Sequence, residues 1–150
     1  MIKIICVGKL KEKYLKDMQE EYQKRCSKYT KLEIIELMDY GLEKEKTLSL
    51  ESEKILQNIK EKDYVITLEI EGKEITSIEF AKKIDQTLIH SSNITFVIGG
   101  SFGLSEKVKE RSNYALSFSK MTFPHQLFRI MLLEQLYRTF KINNNESYHK

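Results

Sequence analysis

The chain has 150 residues, 41% of them hydrophobic and 31% charged, the balance of a water-facing protein that forms one domain and can bury a core. No run approaches the roughly 18 consecutive apolar residues of a membrane span, and the opening residues read as a strand and not a cleaved leader, so a cytoplasmic location without membrane contact is expected. The net charge of +3 is too small to announce nucleic-acid binding, although residues 120–150 hold five basic residues against two acidic ones, a weak pointer to an anionic partner there.

Residues 2–7 form a short β-branched run closed by Gly8, as in a buried strand. A helix over about 11–29 is expected from Tyr14, Leu15, Met18, Tyr22 and Cys26 recurring at helical spacing among charges. Residues 32–37 read as a second strand, and Leu50, Ile55, Leu56 and Ile59 mark a second helix. A third strand covers 64–68 and should end in residues 69–72. Thr76 and Glu79 have capping-box spacing ahead of the apolar face Phe80, Ile84, Leu88 and Ile89. The fourth strand, 93–98, runs into the glycine turn Gly99-Gly100-Ser101-Phe102-Gly103; Ser105 can cap a short helix to about Ser112, and 114–119 alternate as a fifth strand. Strands alternating with helices at this pitch predict an α/β fold with a mainly parallel sheet flanked by helices. Cys6 and Cys26 are too few and too far apart for a disulfide framework or a zinc site, so two plain thiols and no metal are expected.

Three stretches invite a functional reading. The glycine turn lies at the carboxyl end of a strand, where open α/β sheets bind ligands. Its spacing is neither a dinucleotide fingerprint nor a P-loop, so a ligand wall and a purely structural turn both stay open. Pro124, the only proline, suits the first position of a helix. From Leu127 to Phe140 that helix shows no wide polar face on a helical wheel, which demands cover on more than one side; the simplest second cover is another subunit, so a homodimer through residues 124–140 is expected. Arg129 falls between apolar neighbours there and should meet a carboxylate, a carbonyl or a ligand. His125 suits either a structural role or proton chemistry. The polar residues 143–150 would ordinarily fray, yet they finish on Tyr148, His149 and Lys150.

Together, Ile98-Gly99-Gly100 with Gly103-Leu104, the run Met121-Thr122-Phe123-Pro124-His125-Gln126-Leu127, Glu134-Gln135-Leu136-Tyr137-Arg138 and the closing Tyr148-His149-Lys150 closely resemble the ribosomal RNA large-subunit pseudouridine N3-methyltransferases of the SPOUT class. The likeness spans the whole chain and is densest from Ile98 onward. It implies a sheet whose later part threads a deep trefoil knot, a feature no residue pattern could announce. It also implies a homodimer, S-adenosylmethionine as methyl donor, and a pseudouridine of 23S ribosomal RNA in the assembled ribosome as acceptor. Carried over position by position, the cofactor contacts are Leu68, Gly100, Ser119, Lys120, Met121, Thr122, Phe123 and Pro124, with Gly99, Gly103 and Leu104 shaping the pocket. His149, then His125, are the expected proton-handling groups; Arg138 and Arg129 would stabilise the base's carbonyl oxygens, and Tyr148 would stack on it. The sequence departs from the family where Ser147 replaces a usual proline, Asn145 a usual glycine, Glu69 a usual aspartate and Thr139 a common alanine.

Overall fold

The computed structural model describes residues 1–150. Five strands, β1 (Ile2–Val7), β2 (Leu32–Leu37), β3 (Tyr64–Glu74), β4 (Ile94–Ile98) and β5 (Tyr114–Ser117), alternate with five helices, α1 (Lys13–Cys26), α2 (Lys44–Gln57), α3 (Ser77–His90), α4 (Glu106–Arg111) and α5 (His125–Asn143). The sheet is wholly parallel, in the order β2-β1-β4-β3-β5. The fully buried central strands β1 and β4 are the near-continuous apolar runs expected when helices cover both faces.

The larger apolar cluster gathers Ile2, Ile4, Ile66, Phe96 and Leu116 of the sheet with Leu15 and Cys26 of α1, Phe80 and Ile84 of α3, and Ile130, Leu133 and Leu136 of α5. The smaller one sets Ile5, Val65 and Val97 against Ile55, Leu104 and Val108 on the opposite face. Thr76 makes both halves of its capping box with Glu79, and Ser105 caps α4 by accepting from the Val108 amide.

Four expectations need correction. The strand expected to end at residues 69–72 continues to Glu74, because Leu68 and Lys73 both pair with Leu116 and the residues between them loop out of the pairing. Gly72 permits this approach: a Cβ there would lie 2.8 Å from the Ala115 backbone. The fifth strand ends early, at Ser117, where the Ser117 hydroxyl turns to the Ser119 carbonyl and the Met121 amide to the Ser119 hydroxyl. Pro124 is the N-cap of α5 and not its first residue; its carbonyl accepts from the Phe128 amide. Finally, α5 has more cover within the chain than one sheet face, since it packs between α1 and α3 and buries Leu132, Leu133, Leu136 and Thr139 completely.

The last residues do not fray. Asn145 takes φ 54°, the left-handed conformation for which asparagine is the usual second choice after glycine, so the change from glycine here keeps the turn. The Glu146 amide then reaches back to the Lys141 carbonyl, and its carboxylate takes the Lys141 ammonium at 2.8 Å and the Tyr29 hydroxyl at 2.9 Å.

Candidate functional site

The bulged middle of β3, the carboxyl end of β4, the glycine turn, and the link from β5 to α5 enclose a pocket of about 190 Å³. Leu68, Gly99, Gly100, Gly103, Ser119, Met121, Thr122 and Phe123 meet on its wall, as the sequence led us to expect of a common site. Lys120 and Pro124 belong to the same link but do not line the cavity, and Leu104 lies buried behind it. His125 stands on the wall too, with its Nε2 3.7 Å from where a Cβ on Gly8 would be.

Packing forces a glycine at 99 and leaves little room for a side chain at 100. A Cβ on Gly99 would fall 2.5 Å from the Gly103 carbonyl oxygen, and one on Gly100 would fall 3.0 Å from the Val7 side chain. Gly103 adopts φ +75° and donates its N–H to the Gly100 carbonyl at 3.1 Å, so the turn folds back as a flat wall. Opposite it, the amides of Ser119, Lys120, Thr122 and Phe123 and the carbonyls of Met121, Thr122 and Phe123 have no hydrogen-bond partner in the chain. Such a strip of free main-chain donors and acceptors reads the edge of a heterocycle, and Leu68 with Phe118 and Phe128 supplies apolar faces. The sequence reading missed Glu69, Ile70, Ser101, Phe118 and Phe128 as wall residues. Only the bulge in β3 turns Glu69 and Ile70 inward, and nothing in local pattern announces it.

Behind Gly100 lies a buried oddity. Glu51 of α2 is 2% exposed, neither carboxylate oxygen has a partner, and one oxygen is 3.5 Å from where a Cβ on Gly100 would be. Burial, reinforced by Asp39, pushes its pKa up to about 7.

The remaining candidates separate. Arg138, Tyr148 and His149 gather around Glu134 on the outer side of α5. Arg138 makes two bonds to Glu134, at 2.6 and 3.1 Å, Tyr148 donates to the same carboxylate at 3.0 Å, and Arg138 also donates to His149 Nδ1 at 3.0 Å. Because arginine can only donate, Nδ1 is the acceptor in this contact and Nε2 is the ring nitrogen left to donate. The Arg138 guanidinium also covers the Tyr148 ring, 4.8 Å from its centroid. Burial, and then the bond to Glu134, hold the Tyr148 phenol well above its ordinary pKa. Arg129 joins neither group. Its side chain is 1% exposed and clamps Glu36 at 2.6 Å, the Gly8 carbonyl at 2.9 Å and Gln19 at 3.2 Å. It therefore ties α5 to β1, β2 and α1, and it lines neither the pocket nor the Glu134 cluster.

His125 and Arg138 lie thirteen residues apart on α5, about 20 Å at 1.5 Å per residue. Between them runs a mostly apolar groove of about 460 Å³. Phe118 and Phe123, shared with the pocket, form one end, Met18, Leu127 and Met131 the middle, and Glu134 the other end.

A family model described as "Predicted SPOUT methyltransferase" matches residues 1–149. The chain belongs to the SPOUT methyltransferase family. Its similarity to named members is high throughout: a protein from Clostridium tetani is 58% identical and one from Clostridium botulinum (strain Alaska E43) 57% identical, each alignment covering 99% of both chains, and both are named ribosomal RNA large subunit methyltransferase H. The solved structure of "a probable methylase family protein from Haemophilus influenzae Rd KW20" aligns with a TM-score of 0.58 over 99% of this chain and 70% of that one. At 16% identity that likeness concerns the fold alone, and it matches the all-parallel sheet flanked by helices described above.

Proposed function

We propose that residues 1–150 act as one SPOUT unit, with the trefoil knot the resemblance implies, that methylates N3 of a pseudouridine in 23S ribosomal RNA of the assembled ribosome, in the cytoplasm. The observation that carries this reading is the pocket of glycine wall, apolar faces and unpaired main-chain groups, in a chain 57–58% identical to proteins named for this RNA. The residues fit S-adenosylmethionine: the link 119–123 offers donors and acceptors for the adenine edge, Leu68 can cover its face, and Glu69 supplies a carboxylate on the same wall for hydroxyl groups. Bound there, this cofactor supplies an electrophilic methyl group.

The acceptor N3 gains a methyl and loses its imide proton, so charge builds on the flanking carbonyl oxygens. Arg138 and the Nε2–H of His149 are donors suited to those oxygens, while Tyr148 offers a ring for the unpaired base. In this arrangement His149 stabilises the anion and the proton passes to water, since its Nδ1 lone pair already accepts from Arg138. His125, on the pocket wall, orients the base beside the methyl group.

The reading requires a homodimer. A single chain holds the pocket and the donor cluster about 20 Å apart, too far to act on one base. Two α5 helices packed antiparallel across the apolar groove would bring the pocket of one subunit to the Glu134 cluster of the other. The partner would also cover a pocket whose 190 Å³ falls short of the roughly 300–1,000 Å³ typical of small-molecule sites. The test is methylation of ribosomes lacking the modification, with the nucleotide located by mass spectrometry and the oligomer by sedimentation equilibrium. Methyl transfer to another position would redirect the reading to a different base; a pure monomer would remove the shared site.

A further inference from the structure

Between β1 and α1 lies a cationic surface that the pocket, the donor cluster and the dimer groove leave unused. Leu10 is buried and its amide donates to Glu36 at 3.2 Å, which pins the loop and turns Lys9 and Lys11 outward on either side of it. The first turns of α1 add exposed Lys13, Tyr14 and Lys16, interleaved with the acidic Glu12 and Asp17. Lys13 is committed to Asp17 at 2.7 Å, but Lys9, Lys11 and Lys16 have no acidic partner. Tyr14 stands among them 65% exposed, one turn of α1 ahead of Met18 in the groove. The loop is also fixed to the pocket's edge: the Lys11 amide donates to Gln126 at 3.1 Å, one residue beyond His125, and Gly8 at its base faces His125 itself. Arg129 holds the Gly8 carbonyl in place.

We propose that Lys9, Lys11, Lys16 and Tyr14 form an RNA-holding surface that grips the strand flanking the target nucleotide, the lysines on phosphates and the tyrosine stacked on a neighbouring unpaired base. The inference rests on the reading of this chain as an RNA methyltransferase and adds where the RNA enters. Free ammonium groups spaced along a loop suit a phosphodiester backbone, and an exposed ring among them suits stacking on single-stranded bases. The unpaired lysines do not suit an apolar partner. Their attachment beside His125 sets the strand's register at the pocket mouth.

The test compares wild type, the Lys9→Ala/Lys11→Ala/Lys16→Ala triple variant, the corresponding triple Lys→Arg variant and Tyr14→Ala. Binding is measured to purified large ribosomal subunits and to a protein-free fragment of their RNA across a salt series, with S-adenosylmethionine binding as the control for folding. Loss of three phosphate contacts is expected to weaken RNA binding about 10- to 100-fold near 0.1 M salt and to lower the slope of log affinity against log salt by about 2. The arginine variant should keep both. Tyr14→Ala should weaken binding about fivefold or more with the slope unchanged. Equal affinity and slope for wild type and the triple variant would overturn the proposal. So would a defect on large subunits that is absent on the protein-free RNA, since the surface would then read a protein. Wild-type binding without methyl transfer would instead count against the proposed reaction and leave the surface to be judged on binding.

Discussion

Glu51→Gln isolates the buried carboxylate behind Gly100. A carboxyl group whose pKa rises from an ordinary 4.5 to about 7 in the native state holds its proton more tightly folded than unfolded. Stability is therefore full below the unfolded pKa and is lost as pH rises through the folded one. At 1.36 kcal/mol per pKa unit the loss approaches about 3 kcal/mol above pH 8. Because both oxygens are shielded and unpartnered, little solvent screening reduces it. Glutamine keeps the shape and never ionises, so the variant should match wild type near pH 4 and exceed it by about 2–4 kcal/mol at pH 8. Urea denaturation at a series of pH values measures this directly, provided the slopes of the two proteins agree. A stability difference that does not grow between pH 5 and pH 8 would refute the reasoning and mean that the carboxylate finds a partner in solution.

Gly99→Ala places a Cβ against the Gly103 carbonyl, so the glycine turn must open; calorimetry should show S-adenosylmethionine binding weakened at least tenfold, and unchanged affinity would separate the turn from the cofactor. His149→Ala should lower turnover on ribosomes about 100- to 1,000-fold, the range for loss of one donor to a developing anion, while cofactor affinity stays within twofold; unaltered methylation would remove His149 from the reaction. Glu36→Ala leaves the guanidinium of Arg129 buried without its carboxylate and should cost about 3–5 kcal/mol, read as a fall in the denaturation midpoint; a change below about 1 kcal/mol would show that Gln19 and the Gly8 carbonyl suffice.

How far the sequence could be read depended on the range of the interaction. Strands 2–7 and 32–37 and the Thr76 cap were legible because they follow from neighbouring residues. The wall of the pocket was legible in its glycines and in residues 119–123, but Glu69 and Ile70 enter it only through a bulge that two pairings to Leu116 create. The apolar circumference of α5 correctly signalled cover on several sides; part of that cover comes from α1 and α3, which lie more than thirty residues away in the chain. The order of residues 145–149 was hidden for the same reason, since it rests on Tyr29, Glu134, Arg138 and Lys141. Arg129 was legible as a buried cation, and its partner Glu36 was not.

Helix α5 behaves as a ruler. Its rigid rise fixes the spacing between the pocket wall at His125 and the guanidinium at Arg138, and its pitch fixes their relative bearing. One residue inserted between them would advance everything beyond by about 1.5 Å and rotate it by about 100°, swinging Arg138 off Glu134 and the closing residues off their seats. The link from β2 to α2 can change length with no such effect. Selection on this chain should therefore tolerate insertions at residues 38–43 and forbid them between 126 and 137, whatever side chains those residues carry.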